Sequence, residues 1–84
     1  MKVLEITKSP VKYKKYRARV KMEGEDRERY VDFGDVRYQH FKDSTPLKLY
    51  SHLDHGDVKR LHAFYQRHSR NNGPAAELSK HYLW

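Results

Sequence analysis

Six histidines and eleven carboxylates are the side chains that could do acid–base or metal chemistry in this chain. The densest group is His52-x-Asp54-His55-x-Asp57. Two imidazoles beside a carboxylate are a donor set for zinc or another divalent ion. The position argues against such a site. These residues precede the start of a helix, where a turn does not converge ligands, and both acids have a capping role there. No His-x3-His pair marks a helix face, and there is no Cys to supply a thiolate, a disulfide or a nucleophile. The histidines, including His40, His62, His68 and His81, read as turn and surface residues. Asp54, Asp57, His55 and His62 could also be drawn as a nuclease centre, which needs carboxylates on a metal or a His acid–base pair beside a cation. No phosphate-binding loop, dinucleotide fingerprint or nucleophile elbow accompanies them. The chain is expected not to be an enzyme and to use no metal or cofactor.

Binding chemistry is better represented. The stretch Lys8 to Lys21 holds seven Lys or Arg residues and no acid. Lys15, Arg17, Arg19 and Lys21 share one parity, while Tyr16, Ala18, Val20 and Met22 share the other. A β-strand sends alternate side chains to opposite faces, so one face becomes a row of cations about 7 Å apart. Lys12 and Lys14 precede the row. A second basic set, Arg60, Arg67 and Arg70 with Lys59, lies on a helix. The segment Tyr82-Leu83-Trp84 is an aromatic anchor that either docks a partner through Tyr82 and Trp84 or plugs the core. Net charge is +7 from 18 basic and 11 acidic residues, with a pI near 9.7. That balance favours nucleic acid or an acidic protein surface as partner.

The elements that must position these groups follow from pattern. At 84 residues the chain reads as one domain, residues 1–84, near the small end of what folds alone. Strands are expected at Met1–Thr7, about Tyr13–Met22 and Arg27–Phe33. Ser9-Pro10 separates the first two, and Glu23-Gly24-Glu25-Asp26 turns the second into the third. Glu28 and Asp32 share a parity on the third strand, so the register decides whether they neutralise the basic row. Val36–Ser51 reads as a packed loop, with turn chemistry at Asp43-Ser44-Thr45-Pro46. A helix follows, with Asp54 as its N-cap and Asp57 in the capping-box position. Its apolar arc is Val58, Leu61, Phe64, Tyr65 and His68. Asn71-Asn72-Gly73-Pro74 stops it, and Ala75–Trp84 forms a short helix anchored by Leu78, Tyr82, Leu83 and Trp84. No apolar run is long enough to cross a membrane.

Several pieces occur in an order that resembles a known family. They are YRARV at Tyr16–Val20, VDFGD with Tyr38 after it, His55-x-Asp57-x-x-Arg60, Tyr65-x-Arg67-His68, and Leu78-Ser79-x-x-Tyr82-Leu83-Trp84. The order is similar to a family of small, uncharacterised proteins encoded by tailed bacteriophages and large DNA viruses. The resemblance covers about Tyr16 to Trp84. The tail after Arg70 is shorter, and the insert TPLKLYSHL longer, than the family pattern. The resemblance implies a viral source, a compact α+β fold and no known activity. It directs attention to Asp57, Arg60, Tyr65, Arg67 and His68. In it, Arg67 and His68 either bind the ribbon's partner or lock the helix to the Phe33-Gly34 turn.

The expected fold is α+β: an antiparallel sheet of about three strands packed against one helix, with a short C-terminal aromatic helix or turn. The expected function is non-catalytic binding of DNA or RNA through Lys12, Lys14, Lys15, Arg17, Arg19 and Lys21, supported by Arg60, Arg67 and Arg70. The competing readings are a virion assembly component that meets other virion proteins, and a host-takeover factor docked on an acidic host protein. The expected setting is host cytoplasm or virion, with no membrane partner.

Overall fold

A computed structural model describes all residues from Met1 to Trp84. Strands β1 (Lys2–Lys8), β2 (Lys14–Lys21) and β3 (Glu28–Asp35) form an antiparallel sheet in the order β1-β2-β3. Helices α1 (Val58–Arg67) and α2 (Pro74–Tyr82) follow a long loop. The α+β fold expected from the pattern is present.

From Tyr16 to Lys21, alternation along β2 works as its residue types dictate. Tyr16, Ala18 and Val20 are buried, and Arg17 and Arg19 face the other side. Gly24, at φ +77°, supplies the left-handed residue in the β2–β3 turn. The register between Val3 and Glu5 shifts, so Leu4 sits in a bulge of β1. The core is Tyr16, Ala18, Val20, Phe33, Leu78 and Leu83. Aromatic rings supply much of its area: Tyr16 meets Phe33 at 5.8 Å and Tyr50 edge-on at 5.3 Å.

The helix lying on the sheet is α2, which packs against β3 with Leu78 buried. Gly73-Pro74 starts it, Pro presetting the first helical φ. Helix α1, the longer and more amphipathic one, buries no residue. Phe64 holds it by stacking on Trp84, with centroids 4.2 Å apart and ring planes within 1°. Val58 and Tyr65, expected on its packed arc, are exposed. The N-cap of α1 is Asp57, which accepts from the Lys59 and Arg60 amides, and not Asp54 as the capping-box pattern suggested. Asp54 is turned back to His40 instead. No helix is long and apolar enough to cross a membrane.

The loop from Val36 to Asp57 is bound to the rest by polar contacts. Phe41 and Lys42 donate their amides to the Leu83 carbonyl, and Ser44 donates to that of Tyr82. Asp43 is buried and accepts from the Thr45 amide and hydroxyl, the Tyr50 amide and the Tyr16 hydroxyl. Tyr16 in turn accepts from the Leu49 amide at 2.9 Å. Burial and then the Asp43 carboxylate push the Tyr16 phenol up to about 12. Burial pulls Asp43 upward, but hydrogen bonds from Thr45 and Tyr16 outweigh it and hold its carboxyl below the usual range.

Candidate polyanion-binding cleft

The cation row does not survive as an open ribbon. Arg17 pairs across the strands with Asp32, and two guanidinium nitrogens reach that carboxylate at 3.1 and 3.3 Å. Arg19 bonds Glu28 at 2.9 Å and has Glu5 at 3.8 Å on the opposite strand. The register therefore sets Glu28 and Asp32 on the same face as the arginines. Ser9 adds a bond to Asp32 at 2.6 Å. Lys12, Lys14 and Lys21 are exposed.

Lys15 leaves the row altogether. It is 2% exposed, so alternation breaks where Lys15 and Tyr16 are both buried. Two residues near Lys15 are left-handed: Tyr13 lies at φ +70° and Gly34 at +77°. A Cβ on Gly34 would stand 3.0 Å from Lys15 Cδ and 2.9 Å from Leu83 Cδ1, so the lysine stem occupies the room that glycine leaves. The amine donates to the Tyr38 carbonyl at 2.9 Å and to His40 Nδ1 at 2.8 Å. His40 is fully buried, and its Nε2 meets Asp54 Oδ1 at 2.5 Å. Because the ammonium can only donate, Nδ1 accepts and Nε2 carries the proton given to Asp54. Asp54 Oδ1 also accepts from the Asp43 amide at 2.8 Å. Burial lowers the Lys15 pKa to about 8, against the pull of Asp35, Asp43 and Asp54. Burial, then the Lys15 charge, lowers His40 as well. The expectation of a surface His40 and a phosphate-facing Lys15 gives way to a buried polar chain, because the room left by Gly34 lets the lysine stem turn inward to His40 and the Tyr38 carbonyl.

A cavity of about 570 Å³ opens between the end of the β2–β3 hairpin, α1 and α2. Lys14, Lys15, Arg60 and Arg67 line it, with His68 and Tyr38, over Leu83, Phe64 and Trp84. Lys14, Arg60 and Arg67 make no ion pair. Arg60 is aimed by one hydrogen bond to Gln39 at 2.8 Å, and not paired with Asp57. The one acid in the wall, Asp35, is held by Arg37 at 2.7 and 3.0 Å, and that guanidinium keeps its carboxyl down at about 2. The cleft thus joins Lys14 and Lys15 of the basic strand to Arg60 and Arg67 of the basic helix. Arg70 and Lys12, Arg17, Arg19 and Lys21 lie outside it. Tyr82 and Trp84 serve inside the molecule, Tyr82 against Phe33 at 5.9 Å and Trp84 against Phe64.

Other marked residues have structural roles. Tyr65 donates to the Lys80 carbonyl at 3.3 Å, and Lys80 donates to the His68 carbonyl at 2.9 Å, tying the end of α1 to α2. His55 Nδ1 accepts from the Asp57 amide, while its buried Nε2 has no partner beside Trp84. No group of three or more His, Asp or Glu side chains converges on a point where a metal ion could sit. The Lys15–His40–Asp54 chain has no local signature in the sequence beyond a lysine and a glycine placed opposite each other in a hairpin. Compared with protein-family models, curated proteins and solved structures, the chain matches none.

Proposed function

We propose that this protein is a non-catalytic binder of a phosphate polyanion, with nucleic acid the first ligand, and that the cleft is its contact surface. One observation supports this above the rest: Lys14, Arg60 and Arg67, from two different elements, line one cavity and form no ion pair, while Asp35, the acid opposite Lys14, is bound by Arg37. Unpaired cations gathered in a concavity focus a positive field and favour anionic ligands. The sheet face, where Arg17 and Arg19 are matched by Asp32 and Glu28, is assigned a structural role. A viral setting, suggested by the motif order, fits a small basic binder of this kind.

The test is fluorescence anisotropy with labelled DNA and RNA at low salt. The double variant R60E/R67E should abolish binding, and R17E/R19E should leave most of it. Failure of both nucleic acids to bind at low salt ends the reading. Binding of an acidic peptide in their place would move the cleft to protein docking, the role expected of a virion or host-takeover component.

A further inference from the structure

Tyr38 is the feature of the cleft that packing does not explain. Its side chain is 64% exposed, yet its mount is rigid. The carbonyl of Tyr38 is held by the buried Lys15 amine at 2.9 Å, and its amide donates to Asp35 at 3.2 Å. Arg37 lies 5.8 Å from its ring and is itself fixed by Asp35 and by the Tyr13 ring at 4.4 Å. Tyr13 reaches that place through a left-handed backbone, a costly conformation for a non-glycine residue, and its carbonyl accepts from the Val36 amide at 2.9 Å. The result is a solvent-facing aromatic plate at the wall of a cavity whose other walls carry unpaired cations.

We propose that the cleft takes single-stranded nucleic acid, with one base stacked on Tyr38 and neighbouring phosphates on Lys14, Arg60 and Arg67. This rests on the polyanion reading above and narrows it. Three observations separate a single strand from a duplex. Proteins read a duplex by placing a protruding helix or ribbon in a groove, whereas Arg60 and Arg67 line a concavity. The open sheet face, which carries the basic strand's arginines, has them neutralised by Asp32, Glu28 and Glu5. An exposed aromatic ring on an anchored backbone, beside cations that make no ion pair, is the arrangement by which single strands are held, since every base offers a π-face.

The experiment compares an oligothymidylate of about 12 nucleotides, its duplex and an abasic strand of equal length by anisotropy. The single strand should bind at least about tenfold tighter than the duplex. Y38A should weaken single-strand binding by about five- to a hundredfold, the range expected for one lost stack, while Y38F keeps it within about twofold. The abasic strand, with phosphates but no bases, should be insensitive to Y38A. Equal or tighter duplex binding overturns the proposal, as does Y38A weakening abasic and thymidylate strands alike. In those cases sensitivity to R60E/R67E would leave the polyanion reading standing, and only loss of all binding removes both.

Discussion

The Lys15 amine donates to His40 Nδ1 across 2.8 Å, and the two side chains are 2% and 0% exposed. A buried ammonium is tolerable only if its protons are accepted. His40 and the Tyr38 carbonyl do this, and Asp54 completes the chain from the far side. The pair joins β2 to the loop from Val36 to Asp57.

Removing one partner leaves the other buried and unpaired, at about 1–3 kcal/mol for each group orphaned. H40A should therefore lower the unfolding free energy by roughly that amount in urea titration. K15M, which removes the charge but keeps most of the stem over Gly34, should cost less than K15A. Equal losses for the two would show that the stem contributes nothing.

The same chain predicts an unusual pH profile. Lys15 titrates at about 8 in the folded protein against 10.5 in the ordinary state, so the unfolded chain binds this proton more tightly. Stability should then rise with pH between about 8 and 10.5. Tyr16 acts oppositely, because its folded pKa of about 12 exceeds the ordinary 10.0 and stability falls between those values. His40, lowered from 6.5, and Asp43, lowered from 3.8, both lose stability as pH drops below those values. Chemical denaturation across the pH range should place maximum stability near 10, and K15M should erase the rise above pH 8.

Gly34 and Gly24 share φ +77° but differ in surroundings. A methyl at Gly24 meets nothing within 4 Å, so G24A carries backbone strain alone, about 1 kcal/mol. At Gly34 it collides with Leu83 and Lys15 as well. G34A should cost about 1–3 kcal/mol more than G24A, read from paired melting or urea curves.

Helix α1 buries no residue, and its main apolar contact is the stack of Phe64 on Trp84. W84A should release Phe64 and raise amide hydrogen exchange throughout Val58–Arg67, while exchange in β2 changes little. Exchange rising equally in β2 would mean that α1 is integral to the core.

Salt dependence distinguishes the two basic surfaces. Each phosphate contact removed should reduce the slope of log affinity against log salt by about 0.7–0.9. R60A or R67A should show that reduction. R17A should leave the slope unchanged and instead weaken the sheet by about 0.2–1 kcal/mol, the worth of a cross-strand charge pair.

Periodicity in the sequence sufficed for the three strands, the apolar parity of Tyr16, Ala18 and Val20, the turn at Gly24 and the anchors Leu78 and Leu83, because these depend on neighbours one turn or one pleat away. Local chemistry also marked the acids Glu28 and Asp32 as possible partners of the cations. Register then decided their use, since a shift by one residue sends every side chain to the other face. The fate of Lys15 lay further from any local signal. Its parity says surface, and only the left-handed Tyr13 and Gly34 with Leu83 behind them turn it inward to His40, 25 residues away. The choice of Asp57 over Asp54 as cap accompanies a second bond of His40, from its Nε2 to Asp54. The cleft is long-range too, because Lys14 meets Arg60 and Arg67 only after the loop from Val36 to Asp57 has folded back along the Leu83 carbonyl. Contacts between residues distant in sequence carry no period to read, and those contacts built the candidate site.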